Sequence, residues 1–107
     1  HPVFKLAHAV EVVNGGTADV ENYFAMQVAS LLGMPVTGGS DAHSTHGIGK
    51  FTTGFNDDIN NEQEFITALH HSKFYPAIGL RSGQVRQYTL REVSMQKSLR
   101  AMTDWTD

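Results

Sequence analysis

Residues 9 to 39 read AVEVVNGGTADVENYFAMQVASLLGMPVTGG, and the change of period inside this stretch decides the fold. Val10 and Val12 alternate with Glu11, Val13 follows, and the β-branched run stops at Gly15-Gly16, which is the pattern of a strand over residues 9–14. A helix follows. Thr17 or Asp19 can cap it, Glu21 falls in its first turn, and Val20, Phe24, Val28 and Leu31 or Leu32 recur at helical spacing until Gly33 and Pro35 close it. MPVTGG is then a second short buried strand. Because a helix separates the two strands, they are expected to run parallel in a βαβ unit with a right-handed crossover, which places the chain in the α/β class.

Downstream the alternation of strand and helix continues more weakly. KFTTGF, residues 50–55, reads as a strand or a strand-like loop, and Phe51 and Phe55 can stack a base or pack in the core, the core role being favoured. NEQEFITALHHS reads as a helix with Asn60 or Asn61 as cap, Glu64 early, and Phe65, Ile66 and Leu69 on one side. His70 and His71 fall at its C-terminal end, where an imidazolium suits the helix dipole, and are read as structural. KFYPAIGL reads as a short strand whose Pro76 suits an edge. Met95, Leu99 and Met102 recur at i, i+4 and i+7, predicting a C-terminal amphipathic helix at about 90–103. No repeat or linker interrupts residues 1–107, which read as a single domain.

Composition narrows the function classes. The chain has 107 residues, a formal net charge of −3, and eight Lys and Arg against eleven Asp and Glu, so it carries no basic field for a nucleic-acid backbone. Without cysteine there is neither a disulfide framework nor a thiolate metal site, and a cytoplasmic location is the expectation. No apolar run approaches the roughly 20 residues of a membrane span, and the first ten residues lack the character of a signal peptide. The opening at His1 without Met suggests processing or a boundary within a longer chain.

The second strand runs directly into GSDAHSTHGIGK, residues 39–50. In parallel α/β folds the loops leaving the carboxyl ends of strands gather on one side and form the ligand site. Asp41 and His43 are two apart, so in extended chain their side chains point the same way and can converge on one ion, with Ala42 turned aside. A carboxylate and a neutral imidazole suit Zn²⁺, Mn²⁺ or Fe²⁺. The plainer alternative is a loop aspartate bonded to its own turn beside a solvent-facing histidine. Other motifs fail on identity. GGSDA has Ala42 where a nucleophile elbow around Ser40 needs glycine, and GIGKFT has Phe51 where a phosphate-binding loop needs Ser or Thr. A zinc finger or zincin lacks its cysteines or its H-E-x-x-H. Asn14 can orient ligands or bind the Gly15-Gly16 turn, and the turn role is favoured.

Taken together, AVEVVNGG followed by a helix, LLGMPVTGGSDAHS, IGKFTTGF and a helix opening NEQEFITAL resemble the C-terminal part of the PHP (polymerase and histidinol phosphatase) family of metal-dependent phosphoesterases, over roughly residues 9 to 78. GSDAH is the most specific element. It resembles the family's last metal-binding motif, which implies that Asp41 and His43 are both ligands. The resemblance further implies a distorted α/β barrel, a cluster of two or three divalent metals (Zn, Mn or Fe), and hydrolysis of phosphate esters by activated water; it does not choose the substrate, and a small phosphorylated substrate or nucleotide is the expected partner. His1-Pro2 is similar to an internal His-Pro motif and would add His1 as a ligand. The family's H-x-H pair is absent, so the ligand cluster is expected to be incomplete in this chain. His46 and Lys50 are candidates for binding the substrate phosphate, each with a solvated loop position as the alternative. A second expectation, from another class, is a non-catalytic module that homo-oligomerises or binds a partner through the stripe of Met95, Leu99 and Met102.

Overall fold

A computed structural model describes residues 6–89 of the chain. Strand β1 (Val10–Asn14) leads into helix α1 (Asp19–Leu32) and strand β2 (Val36–Gly39), and β1 and β2 pair in parallel. The βαβ expectation therefore holds. The ladder runs from Val10 opposite Val36 to Asn14 opposite Gly39, with a register shift between Glu11 and Val13. This bulge explains why the consecutive Val12 and Val13 are both fully buried, which strict alternation over a half-solvated sheet forbids.

Helix α1 starts differently from the sequence reading. Neither Thr17 nor Asp19 caps it: Ala18 is the cap residue and offers no side-chain bond, while Asp19 and Glu21 lie in the first turn, favourably placed against the helix dipole. The helix ends in a Schellman turn, with Gly33 at φ 65°, its N–H on the Ser30 carbonyl, and the Met34 N–H on the Ala29 carbonyl. The buried face also differs. Asn22, Met26 and Ala29 face inward, whereas Val20, Phe24 and Leu31 of the expected stripe are 61, 67 and 87% exposed. The rotation has a physical cause in Asn22. Its side chain accepts from Asn14 N–H and donates to Asn14 O, both at 3.2 Å, so turning Phe24 inward would leave the end of β1 unpaired.

Strand β3 (Thr52–Phe55), helix α2 (Glu62–His70), strand β4 (Phe74–Ile78) and the two-residue strand β5 (Arg86–Gln87) form a separate antiparallel sheet in the order β3-β4-β5. The parallel sense of the first unit is thus not repeated. The connection through α2 is long enough for either sense, and periodicity carries no record of direction. Asn61, of the two candidates, caps α2 by accepting from the Glu64 N–H at 2.8 Å, and the Glu64 carboxylate accepts from Asn60 N–H at 2.9 Å. Pro76 lies in the central strand, not at an edge. Its carbonyl accepts from Tyr88 N–H at 2.8 Å, so the missing donor falls on the side of β5, where the ladder is only two residues long.

The two sheets pack along β2 against β3 and β4, and one side chain bonds across the seam. Thr53 Oγ donates to the Gly38 carbonyl at 2.7 Å and accepts from the Gly38 N–H at 3.1 Å, doing for β2 what a neighbouring strand would do. The main core gathers Val12, Val13, Met26, Ala29, Phe51 and Tyr88, with the Phe51 and Tyr88 rings edge to face at 5.4 Å. Phe55 stacks between Phe65 and Phe74 at 5.6 and 6.4 Å and seats α2, so both Phe51 and Phe55 are packing residues.

The described residues form two small sheets, two strands and three strands wide, and not a closed barrel. Among them no helix is long and apolar enough to cross a membrane. His1 and the segment at 90–103, with Met95, Leu99 and Met102, lie outside the described residues.

Candidate metal centre

Because β1 and β2 are parallel and Asn14 pairs with Gly39, the two chain segments leave the sheet side by side at the same end. The Gly15 N–H continues the pairing onto the Gly39 carbonyl at 3.0 Å. Close approach is what Gly15 and Gly16 provide. A Cβ on Gly15 would lie 2.4 Å from the Ser40 carbonyl oxygen, and one on Gly16 would lie 2.8 Å from Asp41 Oδ2. The glycines that end the strand in sequence therefore also bring the Asp41 carboxylate against the end of β1.

Asp41 sits at φ 49°, in the left-handed region that aspartate tolerates better than most residues. The chain at Asp41 is thus not extended, contrary to the expectation from the spacing, and strand alternation is not what relates Asp41 to His43. A hydrogen bond does so instead: His43 Nδ1 lies 2.9 Å from the Asp41 carbonyl oxygen. A carbonyl can only accept, so Nδ1 donates, and in the neutral ring Nε2 then carries the lone pair. Metal-ligating imidazoles are commonly fixed in this way, with the ring N–H on a carbonyl or carboxylate and the other nitrogen turned to the ion. Both side chains are exposed.

A polar chain braces this corner. Asn14 Oδ1 accepts from the Gly16 N–H at 2.8 Å, and Asn14 Nδ2 donates to Glu11 Oε2 at 2.8 Å. Asn14 therefore has the turn role read from the sequence, and Glu11 fixes which way its amide faces. Glu11 also lies across the end of β2, since a Cβ on Gly39 would come 2.2 Å from its Oε1. In a regular strand Glu11 and Asn14 would face opposite sides. The bulge at Val12 brings them together, and nothing in the residue pattern announces it.

The other candidates are dispersed. His46 and Lys50 are exposed on the same loop, and neither side chain hydrogen-bonds to Asp41 or His43. The Lys50 ammonium stands 5.8 Å from the Phe51 ring centroid. The His46 carbonyl is held by the Arg81 guanidinium, a residue that sequence reasoning passed over. His8 was missed as well. Its Nε2 donates to the Leu69 carbonyl at 2.9 Å, closing the last turn of α2 from a position 61 residues away, and its ring meets His70 edge-on at 6.4 Å.

The donor chemistry suits a divalent ion, since an anionic oxygen and a neutral imidazole nitrogen stand on one turn. Among the described residues no third His, Cys, Asp or Glu completes the group. Two donors are half of a tetrahedral shell, so the pair fits as a contribution to a site and does not close one. A concavity of 410 Å³ lies elsewhere and shares no residue with this corner. It is lined by Asp57 and Asp58 ahead of α2, by Glu64 and by Lys73, and the Asn61 cap already takes the Glu64 N–H. The metal question therefore rests with Asp41 and His43.

A family model described as PHP-associated matches residues 20–74, a span that runs from α1 to the first residue of β4 and contains Asp41, His43, His46 and Lys50. Searches of curated proteins and of solved structures gave no match.

Proposed function

The chain belongs to the PHP-associated family, and from that premise we propose that it supplies the last ligand pair, Asp41 and His43, of a metal-dependent phosphoesterase site. The observation that carries this reading is the 2.9 Å bond from His43 Nδ1 to the Asp41 carbonyl, which leaves the Nε2 lone pair on the same turn as the Asp41 carboxylate. Asp41 would hold the ion through an anionic oxygen and His43 through Nε2. The Glu11–Asn14–Gly16 chain keeps the adjoining turn in place, so that little reorganisation is needed when the ion arrives. When bound, the ion supplies Lewis acidity toward a phosphoryl oxygen and a lowered pKa for water at the site.

The remaining ligands, with His1 among those the family resemblance implies, lie outside the described residues. Residues 6–89 are in this reading part of a larger PHP-type fold. The substrate class is a small phosphate ester or nucleotide, because a net charge of −3 gives no footing for a long nucleic acid.

Metal content of the gel-filtered chain, measured by inductively coupled plasma mass spectrometry beside Asp41→Ala and His43→Ala, tests the reading. Zinc, manganese or iron bound to the wild type and lost from both variants, with unchanged circular dichroism, is the expected result. Metal in the wild type no higher than in the variants would overturn it.

A further inference from the structure

The sequence IGLRSGQVR, residues 78–86, finds no role in the ligand pair, yet it is tightly constructed. Gly79 and Gly83 sit at φ 98° and 79°, and a Cβ on Gly79 would lie 2.1 Å from the Gln84 carbonyl oxygen. The Gly79 carbonyl accepts from Ser82 N–H at 3.2 Å, from Gln84 N–H at 3.1 Å and from Ser82 Oγ at 3.0 Å, which ties the turn shut. This closed hook projects Leu80 and Arg81 onto the loop that follows Asp41. A Cβ on Gly49 would touch the Leu80 methyl at 3.4 Å and Arg81 Cγ at 3.5 Å, and the Arg81 guanidinium donates from Nη1 to the His46 carbonyl.

An arginine held this way is unusual for its charge. No carboxylate among the described residues pairs with it, whereas Lys73 has Asp57 at 3.9 Å. One N–H is spent on a neutral carbonyl, and a planar fork with five donors keeps the others for an anion. The bond to His46 places the guanidinium three residues from His43 along a loop whose compactness is shown by Gly47, where a Cβ would lie 3.4 Å from Ala42.

We propose that Arg81 is a substrate-binding residue, which takes a phosphate oxygen at the rim of the Asp41–His43 corner. The assignment rests on the phosphoesterase reading and names the residue that selects an anionic substrate there. The bond to the His46 carbonyl already restrains the guanidinium, so less rotamer freedom is lost when the anion binds. Lys50, on the same loop and 5.8 Å from the Phe51 ring, adds a second positive charge without a fork.

The test titrates inorganic phosphate into the 107-residue chain by isothermal calorimetry, once with manganese and once with a chelator, for the wild type, Arg81→Gln and Arg81→Lys. Manganese affinity is measured separately by electron paramagnetic resonance. With manganese bound, Arg81→Gln should weaken phosphate binding about ten-fold or more, as loss of a charge-assisted hydrogen bond does, with Arg81→Lys between the two and manganese affinity unchanged. Equal phosphate affinity in wild type and Arg81→Gln overturns the assignment. So does a parallel fall in manganese affinity, which would make Arg81 a brace for the loop. A wild type that takes up no manganese refutes the metal-centre reading instead. In that case a phosphate affinity in chelator that still drops in Arg81→Gln supports Arg81 as an anion site, and no drop removes it.

Discussion

Replacing Asn22 with leucine, a side chain of similar size without hydrogen-bonding groups, is expected to be among the most destabilising single changes in α1. Asn22 is 6% exposed and makes two 3.2 Å bonds, one to each backbone polar group of Asn14. Each such bond contributes about 0.5–1.5 kcal/mol net, and a buried group left without a partner costs about 1–3 kcal/mol. Asn14 is only half-buried, so water recovers part of that loss, and a total near 2–3 kcal/mol follows for the pair. That is a large share of the roughly 5–15 kcal/mol that holds a domain of this size together. In urea, with a slope of about 1.5 kcal/mol per molar, the unfolding midpoint should fall by about 1.5 M. Gln27→Ala, which removes an exposed 3.0 Å bond to Tyr23 on the same helix, should move the midpoint by less than about 0.3 M. If the leucine variant unfolds within 0.3 M of wild type at unchanged slope, roughly the size of the control shift, then the clamp on Asn14 does not set the rotation of α1.

Two further outcomes can be checked. Gly38→Ala would bring a Cβ to 2.5 Å from the Thr52 carbonyl oxygen and 3.3 Å from Pro76 Cβ, so the joint between the sheets must open; a cost of about 1–3 kcal/mol, or a melting temperature lower by roughly 5–15 °C, is expected by calorimetry, and a shift below about 2 °C would contradict that seam. Tyr88 has its pKa raised, first by burial and then by the Asp19 carboxylate, with Arg86 pulling the other way. The unfolded chain therefore gives up this proton first, near pH 10, so the contribution of Tyr88 is complete below that pH and is lost as pH rises through the folded value. Tyrosinate absorbance should show a late step whose ionisation coincides with falling urea stability, and Tyr88→Phe should remove that step.

The local elements were legible wherever a short-range signal existed. The valines of β1, the glycine stop and the helical spacing of α1 gave the parallel pair, because the period changes within a single stretch. Asn61 and Glu64 likewise announced the start of α2. The facing of α1 was not legible, since periodicity shows an apolar stripe but not that Asn22 must satisfy the backbone of Asn14. Nor was the direction of β4, because the sense of a strand depends on the path of the chain and not on its composition. At the candidate site, Asp41 and His43 were visible as a motif, although a left-handed turn and a ring-to-carbonyl bond relate them where extended geometry was expected. Glu11 stayed hidden because a bulge changes its face. Arg81 and His8 stayed hidden because their partners lie 35 and 61 residues away.

Thr53 and Asn22 have a consequence for the behaviour of the protein in concentrated solution. The N–H and C=O that Gly38 and Asn14 turn outward are each occupied by a side chain of the same molecule. A strand from another chain that approached the flank of β1 would find the docking groups near its carboxyl end already taken and would have to displace the Asn22 amide before it could pair, while the flank of β2 is covered by β3 and β4. The small sheet is thereby protected from edge-to-edge association at the end where Asp41 and His43 must stay open to solvent.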